Sequence, residues 1–263
     1  MASQQAAYLF VPGDRPERFP KALQAAPGMA IIDLEDAVAP QAKDAARAAV
    51  ANWLTRDANI IIRINAEGTP WFEDDLRLVA AAGVQGAMLS KAESPATVAR
   101  VGDVAGAVVP LIETALGMAQ ARLIARQRHV ARLAFGSIDL KADLGIGGNV
   151  EELDYFRSEL VLASRLAELD PPIDGVTTAI DDTDVLRAET LRARRFGFGA
   201  KLCIHPRQVA IVNGAFAPSA AEVAWARLVL DAIAGSDGAA VAVNGKMVDK
   251  PVAALAARIV AAA

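Results

Sequence analysis

The chain has 263 residues, 54% of them hydrophobic, enough to bury a sizeable core as one large α/β domain or two small ones. Lys and Arg number 27 against 31 Asp and Glu, and the resulting charge of −4 gives no global attraction to nucleic acid or to an anionic membrane. The lone cysteine, Cys203, excludes an intrachain disulfide and a multi-cysteine metal site, and its apolar surroundings suit a buried structural thiol.

Tyr8–Val11 is the first apolar run of strand length. The turn Pro12-Gly13-Asp14-Arg15-Pro16 leads from it into a first helix, where Arg15, Arg18 and Lys21 form a small basic patch. Such a patch holds phosphate groups of a ligand or is simply a solvated helix face. Ala30–Leu34 follows and delivers Asp33, Glu35 and Asp36 at its end. Pro40 opens a helix with Ala42, Ala46, Ala49, Val50 and Trp53 on one face. Ile60–Ile64 carries Arg63 to its end. Thr69-Pro70-Trp71 predicts a helix start with Thr69 as N-cap, and Ser94-Pro95 predicts another after the run Gly86–Leu89. Val108–Ile112 runs into Glu113, and Val130–Phe135 stops at Gly136, with Ser137 and Asp139 just beyond. A long helix is expected over 150–169, a strand over Ile173–Thr177, and a helix over 181–196 closed by Gly197. The last run, Lys201–Ile204, meets His205-Pro206. Beyond it lie a helix over 218–233, a flexible break at 235–238, an apolar stretch 239–243, Asn244-Gly245-Lys246 and a closing Ala-rich helix.

Eight short continuous runs suit strands buried on both faces, and their alternation with helices predicts a TIM (β/α)8 barrel over 1–215. Residues 216–263 then form a C-terminal helical extension or lid. A doubly wound sheet is the competitor. Charged residues at many strand ends favour the barrel, whose active sites are built there. No G-x-G-x-x-G follows the first strand and no G-x-x-x-x-G-K-[ST] occurs, so dinucleotide and P-loop readings lack their device. The chain does not begin with a basic region followed by a long apolar stretch, and no segment has the uncharged apolar length of a membrane span; the expectation is a cytoplasmic protein without a signal peptide.

Glu113 and Asp139 each follow a buried strand, and two converging carboxylates suit Mg²⁺, which takes few protein ligands and keeps several waters. The plainer alternative is that both are acids favoured at helix N-termini. His129 and His205 have no partners at ligand spacing, which argues against a zinc site. Arg63 can clamp a carboxylate or neutralise an oxyanion, or form a structural ion pair with Glu35 or Asp36. Ser137 has no histidine at useful spacing for a triad, and His205 either touches a ligand or caps a turn.

Together these segments resemble the citrate lyase β-subunit-like branch of the aldolase and acyl-CoA lyase superfamily. The matching runs are Leu9 to Arg18, Ile32 to Val38, Arg63-Ile64-Asn65, Ile112-Glu113-Thr114, Phe135 to Leu140, Cys203 to Pro206 and Gly245 to Asp249. The resemblance implies a TIM barrel holding Mg²⁺ through Glu113 and Asp139, with a 2-oxo acid such as oxaloacetate or glyoxylate beside it. It implies that Arg63 stabilises the enolate-like thioester or keto oxygen, that Glu35, Asp36, Gly136 and Ser137 shape the substrate pocket, and that Arg15, Arg18 and His205 meet a CoA thioester. Asp249 is the implied general base, supplied in trans within a homotrimer; the alternative is an N-cap acid for the last helix, with Pro251 in its first turn. The implied activity is Mg²⁺-dependent carbon–carbon lysis of a citryl- or malyl-type thioester into acetyl-CoA and a 2-oxo acid, with an acyl-carrier partner in some relatives. A malate-synthase-like condensation ending in thioester hydrolysis, or a non-catalytic binder of CoA thioesters or 2-oxo acids, are the alternatives.

Overall fold

Alternation along the strands decides which side chains enter the barrel and which face the helices. In the computed structural model, which describes residues 5–27, 29–54, 60–82, 84–148, 150–235 and 240–263, eight parallel strands close into a barrel. They are β1 (Ala7–Pro12), β2 (Ala30–Asp33), β3 (Ile61–Ile64), β4 (Gly86–Leu89), β5 (Val108–Ile112), β6 (Ala134–Phe135), β7 (Ile173–Asp174) and β8 (Ala200–Cys203). Each pairs with its sequence neighbour, and β1 pairs with β8 to complete the ring. The described helices of this part are α1 (Phe19–Ala25), α2 (Lys43–Trp53), α3 (Phe72–Ala82), α4 (Pro95–Ala105), α5 (Ala115–Ala125), α6 (Ser137–Leu144), α7 (Asp154–Leu166), α8 (Thr183–Phe196) and α9 (Pro206–Phe216).

Tyr8, Ile31, Ile61, Met88, Leu111, Ile173 and Leu202 belong to one buried cluster filling the barrel. Two residues further along the same faces stand Phe10, Asp33, Arg63, Ser90 and Glu113, so the apolar interior column becomes polar at the C-terminal mouth. On the opposite parity, Asp174 and Lys201 face the surrounding helices and pair at 3.3 Å.

All eight predicted runs become strands; β2 and β3 are one residue shorter than the sequence suggests, and β6 and β7 are only two residues each. Over 130–133 the chain still bonds β5, through Ala131 N–H to Val108 O at 3.0 Å, but the two-sided ladder begins only at Ala134. At β7 the carbonyl of Gly175 accepts from the Lys201 ammonium at 2.7 Å, which turns it out of the ladder.

Helix starts follow their local chemistry. Ser94 Oγ accepts from Thr97 N–H, with Pro95 in the first turn of α4, and Asp182 caps α8 through Val185 N–H. Gly197 ends α8 at φ +101°, a conformation that a β-carbon would strain. Thr69 does not cap α3: its hydroxyl donates instead to Ala66 O at 2.7 Å, and the helix begins three residues later. The predicted helix over 150–169 is a short 3-10 turn, Glu151–Leu153, followed by α7.

Gln5–Val212 form one compact unit, and Asn213–Ala263 belong to a second. In the second unit, α10 (Ala220–Ala234), the hairpin β9 (Val241–Val243) and β10 (Lys246–Val248), and α11 (Lys250–Ala261) gather around Ala226, Val229, Val248 and Ala256. The hairpin turns at Asn244 and Gly245, φ +53° and +75°, as an Asn-Gly pair favours. Ser219 and Glu222 form a capping box on α10. Residues 236–239, which include most of the predicted break and the start of the apolar stretch after it, lie outside the described residues. The stretch 206–234 is apolar and long enough in total to cross a bilayer, but it is two helices of 11 and 15 residues interrupted at 217–219. Each is shorter than the ~20 residues that a spanning helix needs.

Beneath the barrel mouth, the buried Lys43 ammonium ties β2 to β3. It donates to Leu34 O at 2.8 Å, Glu35 O at 2.9 Å and Asn65 Oδ1 at 2.8 Å. Asn65 in turn meets Asp75 at the start of α3, and Arg47 of α2 holds the other Asp75 oxygen at 3.0 Å. Lys43→Met leaves these acceptors buried and short of a donor. We expect it to lower the unfolding free energy in urea by about 2–4 kcal/mol; a loss below about 0.5 kcal/mol would show that the network is not structural.

Candidate active site

Residues of six strands or their ends, β1, β3, β5, β6, β7 and β8, converge on a cavity of about 70 Å³ whose walls include Phe10, Arg63, Glu113, Gly136, Ser137 and Asp139. Arg63 stands at its centre. Its Nε donates to Asp33 Oδ1 at 2.7 Å and its Nη2 to Asp33 Oδ2 at 2.5 Å, a parallel fork between neighbouring strands. Nη1 lies 3.1 Å from Glu35 Oε2, and the guanidinium carbon lies 4.7 Å from the centroid of the Phe10 ring. Burial works against the charge, but Asp33 and then Glu35 outweigh it and hold the guanidinium above its ordinary pKa. Asp33 is itself fixed, accepting from Glu35 N–H at 2.8 Å and Ala37 N–H at 3.1 Å.

Glu113, only 2% exposed, extends from the end of β5. Its Oε1 accepts from Lys91 N–H at 2.8 Å. Burial pushes its carboxyl up to about 8, and the nearby Asp139 adds to the rise; the Lys91 N–H and the Arg63 charge oppose it. Gly136 makes room for it, because a β-carbon there would overlap the Glu113 side chain. Asp139 lies in the first turn of α6, which starts directly after β6 and Gly136.

This donor set fits Mg²⁺. Two carboxylates share one cavity, and no basic side chain forms an ion pair with Glu113 among the described residues. A divalent cation supplies the charge that makes an ionised Glu113 tolerable there. No cluster of three or more His, Cys, Asp or Glu side chains suited to a metal occurs among the described residues, so the ion would keep waters as Mg²⁺ does.

Residues 6–206 match the HpcH/HpaI aldolase/citrate lyase family. The chain belongs to this family. It is 39% identical over 257 residues to a citrate lyase subunit beta-like protein of Mycobacterium tuberculosis, covering 93% of this chain and 90% of that one. It is 34% identical over 253 residues to a (3S)-malyl-CoA thioesterase of Cereibacter sphaeroides, covering 92% and 88%. The crystal structure of the CitE protein of Mycobacterium tuberculosis in complex with magnesium, acetoacetate and coenzyme A superposes with a TM-score of 0.89, at 36% identity, covering 100% of this chain and 99% of that one.

Not every residue singled out in this lyase-family chain enters the cavity. Arg63, Glu113, Gly136, Ser137 and Asp139 line it. Glu35 reaches it through Arg63, and its Oε1 pairs with the Lys91 ammonium at 2.8 Å. Asp36 is exposed, and its backbone N–H donates to Glu35 Oε2 at 3.0 Å. Arg15 and Arg18 are exposed just beyond β1, within 3.8 and 3.9 Å of the adjacent acids Asp14 and Glu17. His205 Nδ1 accepts from Arg207 N–H at 3.2 Å, the turn-capping alternative. Asp249 caps α11 in the second unit, its Oδ1 accepting from Val252 N–H at 3.3 Å. The Cys203 thiol is fully buried and pushed up to about 12 by burial, which leaves it unreactive.

Two positions at the barrel mouth escaped the sequence reading. Asp33, not Asp36, is the clamp on Arg63. Lys91 holds Glu113 with its backbone and Glu35 with its ammonium, at φ +44°. Desolvation lowers the Lys91 pKa, but the hydrogen bond and charge of Glu35, with the charges of Glu113 and Asp36, together outweigh it and the net shift is upward. The signal for Lys91 was present, since it is a charged residue just beyond a buried strand, as at the other ends.

An acid raised from an ordinary 4.5 to about 8 costs the metal-free fold more as pH climbs between those values. Glu113→Gln cannot ionise and keeps an oxygen for Lys91 N–H. The metal-free variant should therefore gain stability over the wild type from pH 5 to pH 9, by up to ~1.4 kcal/mol per pH unit between the two pKa values. Thermal melts in chelator at several pH values check this; a gap constant across that range contradicts it.

Proposed function

We propose that the protein is a Mg²⁺-dependent carbon–carbon lyase that cleaves or forms a citryl- or malyl-type acyl thioester, with acetyl-CoA and a 2-oxo acid such as oxaloacetate or glyoxylate as the halves. The observation that carries this reading is the meeting of Glu113, Asp139 and the Arg63 guanidinium around one cavity. The magnesium and coenzyme A in the mycobacterial relative's complex support it. Glu113 and Asp139 would hold the ion, which when bound polarises the carbonyl and carboxylate of the 2-oxo acid.

In cleavage, a base takes the proton from the 3-hydroxyl group. The C2–C3 bond breaks, its electron pair passes into a thioester enolate, and protonation of C2 gives acetyl-CoA while the former C3 becomes the keto carbon of the 2-oxo acid. Two of the five Arg63 N–H groups are committed to Asp33 and Nη1 is ion-paired with Glu35 at 3.1 Å; the N–H groups not held by Asp33 would serve the enolate or keto oxygen. Gly136 keeps the wall open beside Glu113, and Ser137 forms the adjoining wall. Glu35 fixes Arg63, and Asp36 supports Glu35 through its N–H. Arg15, Arg18 and His205, at the ends of β1 and β8, would meet the CoA thioester. Asp249 is the proposed base, given by another copy of the chain in a cytoplasmic homotrimer; an acyl-carrier protein is the alternative carrier of the thioester.

The malyl-CoA thioesterase relative favours a second reading, in which condensation or malyl-CoA binding ends in hydrolysis. Product analysis separates the two: a lyase releases acetyl-CoA and a 2-oxo acid, whereas a hydrolase releases free CoA thiol and the hydroxy acid.

Calorimetric titration of oxaloacetate and glyoxylate should show binding that requires Mg²⁺, disappears in chelator and is lost in Glu113→Ala. Binding that survives chelation removes the metal site from the reading. Asp249→Ala should lower thioester turnover by about 10²–10⁴-fold while 2-oxo-acid binding persists. An unchanged rate eliminates Asp249 as base, and no turnover by the wild type with either thioester leaves a binding protein.

A further inference from the structure

A second and larger cavity, about 440 Å³, lies against β7, β8, α7 and α8, beside the small one. Its walls carry Lys141, Arg157, Arg192, Arg195 and Lys201, with Glu189 as the only acid among the described lining residues. The remaining walls are largely apolar, including Ile138, Val150, Leu153, Val176 and Val185. We propose that this cavity binds an amphipathic organic anion, a phosphate or carboxylate on an apolar body, next to the metal cavity.

Three observations converge. First, its guanidinium cluster is incompletely answered. Arg157 Nε donates to Asp174 Oδ1 at 3.2 Å, but its buried Nη1 has no hydrogen-bond acceptor among the described residues, and Asp154 Oδ1 is 3.9 Å away. The carboxylates nearby are already engaged. Asp154 takes Arg192 at 2.5 Å, Asp174 takes Lys201, Glu189 accepts from the Thr177 hydroxyl, and Glu152 caps Val150 N–H at the surface. A ligand anion supplies the missing acceptor, and arginines are the residues suited to a planar or tetrahedral oxyanion.

Second, Ile138, Val150 and Val185 are between 40% and 47% exposed around the cavity, which is poor use of apolar surface in water but suits the body of a ligand. Third, Ser137, Ile138 and Val176 line both cavities, and the Arg157 guanidinium lies 5.6 Å from the Phe135 ring, which is itself a wall of the metal cavity. The two sites thus share a partition.

The probes are phenyl phosphate, phenylacetate and the neutral 2-phenylethanol, titrated calorimetrically into the full chain in low salt. The proposal expects at least one anion to bind, the neutral analogue not to bind, and the tighter anion to name the head group. Arg195→Gln, an exposed position that leaves the fold intact, should weaken binding by about fivefold or more, and Arg157→Met should abolish it. If Arg157→Met does not fold, Arg195→Gln decides. Glu113→Gln should leave the affinity within about twofold, since it alters only the metal cavity. The proposal is overturned if neither anion binds by about 10 mM, if 2-phenylethanol binds as well as the anions, if Arg195→Gln has no effect, or if Glu113→Gln abolishes binding and so places the anion at the metal site.

Discussion

The fork between Arg63 and Asp33 is the constraint around which the barrel mouth is arranged. It joins adjacent strands with two parallel hydrogen bonds, and it is buried. Removing one partner of such a pair leaves an uncompensated charge and typically costs about 3–5 kcal/mol, so neither residue can vary alone. The fork also decides what remains for chemistry. Asp33 takes one edge of the guanidinium and Glu35 ion-pairs with Nη1, while the group lines the cavity with the Phe10 ring against it. Lys91 continues the chain of charges from Glu35 to the far side of the mouth, where its backbone meets Glu113. Four strand ends are thereby held in one electrostatic frame.

Glu113 sits at the edge of that frame, and its environment is tuned against ionisation. Burial dominates, and only one N–H and a more distant guanidinium favour the anion. This is a different logic from Asp33, whose two oxygens are both met by donors. One carboxylate is a fixed part of the scaffold, and the other is left short of positive charge. The contrast between neighbouring acids in one barrel mouth is how a fold separates structural from reactive roles.

Much of this was legible in the sequence because buried parallel strands write themselves as short apolar runs, and barrel chemistry collects where those runs end. All eight runs were strands, and Arg63, Glu113, Gly136, Ser137 and Asp139 proved to be neighbours. What failed was choice among adjacent candidates. Asp33, Glu35 and Asp36 look alike in the sequence, and only strand parity, which turns Asp33 inward and leaves Asp36 exposed, separates them. Thr69 had the composition of an N-cap but found a nearer carbonyl acceptor. β6 and β7 were overextended because apolar residues persist where the ladder has already stopped. The C-terminal unit was legible through its Asn-Gly turn and Asp249 cap, since both signals are local.

Lys91 has one more consequence, which concerns how the protein could be improved by selection or by design. At φ +44° it occupies a backbone region that glycine enters freely, so Lys91→Gly would ease the local backbone. The backbone N–H to Glu113 would survive that change, and the strain would be relieved. The ammonium that anchors Glu35 would be lost, and with it the bridge between the two sides of the mouth. Backbone comfort and the ion-pair frame therefore pull in opposite directions at this position, and the strained lysine is what the frame requires.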